Sequence, residues 1–289
     1  MSSSYERTNA VLLSVLMIFS MGSASIALGV DTAAAQAGNS PIEVNVDPGD
    51  LDGTGSQSNP YEISNASELQ AMEDDLDANY ELVSDINASN TAQFNSGKGF
   101  DPVGTSGSGT FTGSLDGGNN TVTGLTINRS NADEFVGLFG VIESGTVRDI
   151  TLSAVAVTGD FETGGVAGLV RGSSAVQNVR VSGAVSSGFS PAGIAGDVTG
   201  NSTVRNVTAD VDVTADPGDS SVGGVVGQLD ASATLSDAVA RGDVTGISGV
   251  GGLVGINRGT IRNATATGNV TGVNNVGGLV GSNLGNITG

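Results

Sequence analysis

The 289-residue chain contains no cysteine, no histidine and no tryptophan, and its only lysine is Lys98. Without cysteine there is no disulfide staple, and without cysteine and histidine the usual zinc ligand sets are out of reach. Mechanisms that pair a serine or cysteine nucleophile with a histidine base are excluded for the same reason. Positive charge is also scarce: 10 Lys and Arg stand against 30 Asp and Glu, for a formal net charge of −20. Nothing basic is clustered along the chain to neutralise phosphates, which argues against nucleic acid as a partner. Aromatic residues make up 4% of the chain, and none follows Phe189.

What is present in excess is aspartate and glycine. An Asp-rich, lysine-poor surface stays hydrated and soluble where salt screens charge over a few ångströms, a composition like that of proteins from salt-accumulating archaea. High net charge is also a mark of disorder. Here, however, 38% of residues are hydrophobic and they recur periodically, so an ordered acidic surface is expected. The 46 glycines exclude continuous helix, because they fall inside every repeat described next.

A glycine pentad recurs through the second half of the chain. It closes at Gly140, Gly168, Gly196, Gly227, Gly255 and Gly281, as in Gly137-Leu138-Phe139-Gly140 and Gly252-Leu253-Val254-Gly255. The closing glycines stand 28, 28, 31, 28 and 26 residues apart. A period of this size is the signature of a stacked architecture whose units cannot bury their apolar faces alone. A second register, T-[VIL]-x-[ND]-[VIA], aligns Asp149, Asn178, Asn206, Asp237 and Asn263. Asn and Asp tolerate left-handed backbone angles and hydrogen-bond along a stack, so these five are expected to form a ladder at one corner. The glycines are expected at the other tight corners, where a Cβ does not fit. About 28 residues per coil leaves room for three short strands and three turns. The expected fold is an all-β, right-handed, three-sided parallel β-solenoid of about eight rungs, filled by Val, Ile, Leu and Ala.

The chain divides into four segments. Residues 10–30 form an apolar run followed by Ala33-Ala34-Ala35-Gln36-Ala37, which predicts a signal peptide over residues 1–37. An uncleaved anchor is the alternative, since the run is long enough to span a bilayer. Arg7 and the Ala10-Val11-Leu12-Leu13 opening resemble the signal peptides of halophilic archaeal surface glycoproteins. Residues 38–60 read as a flexible acidic linker. Residues 61–134 hold a short capping helix, expected over 66–76 behind a Ser67 or Asn65 cap, and the first irregular coils. Residues 135–289 carry the repeats, the last of which stops partway round a coil. That end leads to an expectation of edge-to-edge self-association there, or of an incomplete polypeptide.

The pentads resemble the GLUG motif, named for its glycine–leucine–any–glycine core. The preceding region, with Asn59-Pro60-Tyr61-Glu62-Ile63 and Phe111-Thr112-Gly113-Ser114-Leu115-Asp116-Gly117-Gly118-Asn119-Asn120-Thr121-Val122, is similar to the usual opening of GLUG-containing surface proteins. The likeness covers residues 55–289. It implies an exported β-solenoid of the kind found in adhesin-like surface molecules and beside the protease domains of immunoglobulin-A peptidases. No common activity comes with the motif. Those peptidases use a His-containing zinc motif, which this chain lacks.

Asp47, Asp50 and Asp52 place three carboxylates in a Gly-rich loop, a candidate calcium site that departs from the EF-hand pattern; a solvated linker is the alternative. No other cofactor is expected. Asp210, Asp212, Asp216 and Asp219 cluster in the one repeat lengthened to 31 residues, where an insertion reads as a surface loop. Arg148, Arg205 and Arg262 recur beside the Asn/Asp register, which fits a structural ladder better than a catalytic site. Candidate N-glycosylation acceptors are Asn65, Asn87, Asn119, Asn128, Asn201 and Asn269; Asn286 also lies in a sequon, and the sequon residues Asn206 and Asn263 are expected to be taken by the ladder. The expected function is that of a secreted or cell-surface, non-enzymatic solenoid engaging surface glycans or envelope proteins, or serving as a stalk. It would touch membrane only through an uncleaved signal. A polysaccharide lyase or hydrolase on the same fold is the alternative.

Overall fold

The computed structural model describes residues 48–105, 107, 109–130, 135–216 and 220–289. The signal segment and Asp47 lie outside the described residues. In the second half of the chain each repeat makes one turn of a parallel β-solenoid through three sheets. The first turn begins with Phe135–Val136 in one short sheet, bends at Gly137 and Leu138, and enters the other short sheet with Phe139–Glu143. It then runs through a long strand, Thr146–Thr158, before climbing to the next turn. Both short sheets have six strands, and neighbouring strands are parallel throughout. The long sheet extends further, through Tyr61–Ile63, Asn79–Leu82 and Ser114–Asp116, to nine levels along its main path. Three-sheeted turns therefore number six, and the earlier rungs are built mainly on one face.

The expected pattern of three short strands per coil needs correction. The stretches on either side of the Asn/Asp corner form one strand of 13 residues in each of the first three turns. Asp149 adopts φ 55° inside that strand. The left-handed residue rotates the chain, so that Val147 and Ile150, three apart, both face inward and are buried. Strict alternation would have sent one of them to solvent. Asn178, Asn206, Asp237 and Asn263 repeat the bend with φ between 48° and 56°.

The pentad glycines act by a different route. None of the six closing glycines has a positive φ. A Cβ on Gly168 would lie 2.5 Å from the Val136 nitrogen, and one on Gly196 would lie 2.6 Å from the Thr163 nitrogen. These residues are glycine because the two short sheets approach backbone to backbone. The opening glycines stack on one another: a Cβ on Gly165, Gly193, Gly224 or Gly252 would meet the carbonyl oxygen of the opening glycine one turn on, at 2.2 to 2.6 Å. At Gly278 nothing falls within 4 Å.

The core is graded. Tyr61, Tyr80, Phe111 and Phe139 form a chain of ring contacts at centroid distances of 5.6, 6.5 and 4.6 Å through the early rungs. Later turns are filled by columns of small aliphatics, such as Val147, Val176, Val204, Leu235 and Ile261, aligned by strand register. The helix is shorter than expected, spanning Ala66–Gln70 and tightening into a 3-10 turn at Ala71–Asp74. Asn65 caps it by accepting from the Ser67 and Glu68 backbone nitrogens, and Glu68 reaches back to the Ser64 nitrogen at 2.7 Å. The Gln70 side chain pairs both ways with the Asp101 backbone and anchors the helix to a neighbouring loop, and the chain leaves helical angles at Asp75, with φ −141°.

Candidate functional site

The outer surface of the long sheet carries a continuous row of polar side chains that strand register stacks through all nine levels. One outward column runs Glu62, Glu81, Asp116, Arg148, Gln177, Arg205, Ser236, Arg262 and Thr288. Acids occupy its first three levels, and arginines occupy alternate levels after that. Where the signs change, Arg148 pairs with Asp116 and, at 2.7 Å, with Asp149.

Two open grooves lie on this surface. The larger, about 650 Å³, spans the early rungs between the Gln57–Pro60 segment and Arg148, and its lining includes Asp77, Glu81, Asp116, Asn79, Ser114 and Thr146. Its polar floor is pre-organised: Ser114 Oγ donates to Asn79 Oδ1 at 2.7 Å, and Asn79 Nδ2 donates to the Gly55 backbone oxygen at 2.9 Å. The smaller, about 240 Å³, follows the bend of the long strands, lined by Asn119, Asp149, Asn178, Asn206, Thr151, Arg180 and Thr208 among others.

Three residues of the expected ladder, Asp149, Asn178 and Asn206, line this smaller groove. Asn178 donates to Asp149 Oδ1 at 2.7 Å, Asn206 to Asn178 Oδ1 at 2.8 Å, and Asn263 to Asp237 Oδ1 at 3.1 Å. The step between Asn206 and Asp237 differs chemically, because a carboxylate has no proton to donate downward. Sequence reasoning missed a second ladder on the next bend. There Asp212 Oδ1 accepts from the Asp243 nitrogen at 3.0 Å, and Asp243 accepts from the Asn269 nitrogen at 2.8 Å and from its amide at 3.0 Å. Those bonds hold the Asp243 carboxyl below the usual carboxylate range. The signal was available, since 212, 243 and 269 repeat the 31- and 26-residue spacings of Asn206, Asp237 and Asn263.

The remaining expected sites divide. Asp50 and Asp52 are exposed, and no cluster of three or more acids, histidines or cysteines able to hold a metal occurs among the described residues. Asp210 and Asp212 point outward from the strand Thr203–Ala215, while Asp219 lies outside the described residues. All six glycosylation candidates are exposed. The Asn65 carbonyl oxygen is the helix cap and the Asn269 amide is engaged by Asp243, whereas Asn87 uses only its carbonyl oxygen, accepting from the Ser89 nitrogen. Asn206 and Asn263 donate their amides within the ladder.

Stacked parallel turns with glycine-tight sheet contacts and an Asn/Asp ladder define a β-solenoid repeat protein. More particularly, the GLUG motif matches residues 246–271, and the M26 IgA1-specific Metallo-endopeptidase N-terminal region matches residues 55–183. The chain is 40% identical over 139 residues to Halomucin of Haloquadratum walsbyi, a match covering 45% of this chain and 2% of that protein. It is 37% identical over 115 residues to a candidate Gly-rich membrane protein of Evansella cellulosilytica, covering 38% of this chain and 12% of the relative. The chain thus corresponds to a small part of each relative. Among solved structures it resembles a candidate immunoglobulin A1 protease from Bacteroides ovatus, with a TM-score of 0.67 and 22% identity over 85% of this chain and 79% of that one. At that identity the likeness establishes the fold.

Proposed function

We propose that this chain is an exported, non-enzymatic cell-surface solenoid that engages envelope polymers through the outer face of its long sheet. The observation that carries the reading is the match of one such module to 2% of Halomucin, together with a match to a protein described as a membrane protein. A module that matches a small part of two far longer chains suits a spacer or adhesive element. The predicted signal segment supports export, and the large polar groove supplies hydroxyl- and carboxylate-lined space of oligosaccharide size.

The enzymatic alternative draws on the carboxylates Asp77, Glu81 and Asp116, which share that groove. Asp116, however, is tied to Arg148. Two measurements separate the readings. Antibody labelling of intact cells should detect the protein at the surface, and its confinement to the cytoplasm would overturn the proposal. Incubation with a polysaccharide panel should yield neither new reducing ends nor unsaturated sugars. Product formation that vanishes in Glu81→Gln would establish an enzyme instead.

A further inference from the structure

The chain holds three acids for every base, so an arginine without a carboxylate needs a reason. Arg129, Arg148, Arg171 and Arg258 each have a carboxylate within 4.0 Å. Among the described residues, Arg180, Arg205, Arg241 and Arg262 do not, and all four are exposed on the long sheet or the turn that continues it. The sequence conceals this clustering because the four are spread over 83 positions, from 180 to 262. Three of them flank the Asn/Asp bend. Arg205 and Arg262 stand on one side in alternate levels of the same outward column, and Arg180 stands on the other side and lines the small groove.

We propose that this arginine-flanked bend binds a linear anionic polysaccharide lying along the solenoid axis, across the strands. Arginines on alternate levels are about 10 Å apart, two strand spacings. A pyranose unit is about as long as one level. The column therefore matches a polymer with one carboxylate or sulfate per disaccharide, each met by a guanidinium fork. Between the charges, the Asn178 and Asn206 amides and the Thr151 and Thr208 hydroxyls line the groove and match sugar hydroxyls. Arg205 is already extended along the axis, donating through Nε and Nη2 to Gln177 Oε1 on the preceding level at 2.9 and 2.5 Å. Duplex nucleic acid fits poorly, because each of its strands carries a phosphate about every 3.4 Å of helix axis, roughly three times as densely as these arginines. The opposing charges on the bend are Asp149, held by Arg148 and Asn178, and Asp237.

The inference extends the surface reading but is tested separately from it, by calorimetric titration of the purified full chain rather than by localisation. The probes are hyaluronan, which carries one carboxylate per disaccharide, uncharged dextran, and a single-stranded oligothymidine. Hyaluronan should bind, with affinity falling as salt rises. The triple variant R180Q/R205Q/R262Q should weaken it at least tenfold with unchanged circular dichroism. Asp237→Asn should tighten it a few-fold, and Arg171→Gln, at the second short sheet, should leave it unchanged. No hyaluronan binding, equal binding of dextran, tighter binding of the oligonucleotide, or an unaffected triple variant would each overturn the proposal.

Discussion

At the scale of single residues, glycine here answers to its neighbours more than to its own torsion angles. Gly252 has an ordinary φ, yet a Cβ added to it would lie 2.3 Å from the Gly278 carbonyl oxygen on the next turn. Gly278 occupies the same place in its own pentad with nothing within 4 Å. Gly252→Ala should therefore destabilise the chain by about 1–3 kcal/mol or more, as overpacking does. Gly278→Ala should stay within about 0.5 kcal/mol of the wild type. Chemical denaturation midpoints of the two variants test the contrast, and equal losses would show that the glycines matter for torsional freedom after all. The ladder makes the complementary case. All five of its residues hold φ near 50°, which Asn and Asp adopt most readily. Asp237→Asn supplies the missing donor toward Asn206, a net gain of about 0.5–1.5 kcal/mol for one hydrogen bond. Thermal unfolding should show a higher midpoint; an unchanged one would mean that the amides reach no further than in the native chain.

At the scale of elements, the second short sheet carries a buried charge problem. Asp197, in the strand Ala195–Val198, has a buried Oδ1 with no hydrogen-bond partner. Burial first, then the nearby Asp230 and Glu162, push its carboxyl up from 3.8 to about 7. The folded state thus keeps a proton that the unfolded chain releases. The resulting stability is fully present below pH 3.8 and is lost as pH rises toward 7. Asp197→Asn should flatten that decline by an amount on the order of a few kcal/mol. Glu73, also raised to about 7 by burial and by Asp101 and Asp74, accounts for a remaining slope. Stability measured from pH 4 to 8 checks this, and identical profiles for variant and wild type would refute it. Asp197 also marks the limit of what the sequence reveals. Pentad spacing and the Thr-x-x-Asn/Asp register determine where each turn bends, because those constraints are local. That Asp197 is covered, that Asp212, Asp243 and Asn269 align, and that four arginines escape every acid all depend on register between turns. The 31- and 26-residue turns alter that register by amounts no single repeat displays. The helix was legible at its cap, Asn65, but not at its end, where it tightens into a 3-10 turn while Gln70 pairs with a loop 31 residues away.

At the scale of the whole molecule, a net charge of −20 on a chain with few paired bases makes self-repulsion a global term. Parallel turns place like residues at strand spacing, so acids such as Glu62, Glu81 and Asp116 stand directly above one another. Lysine, which elsewhere offsets such rows, is nearly absent. Salt screens this repulsion: the Debye length falls from about 30 Å at 0.01 M to about 3 Å at 1 M, shorter than the separation of adjacent strands. The solenoid should therefore gain stability steadily from dilute buffer to molar sodium chloride, where surface ion pairs such as Arg171–Glu143 contribute little. Because each turn contacts only its neighbours, loss of structure at low salt should begin in the acid-stacked early rungs and spread, rather than occur all at once. Circular dichroism across a salt series measures the first effect and hydrogen exchange resolved along the chain measures the second. A full β signal with uniform protection at low salt would show that packing of the aromatic early core outweighs the charge.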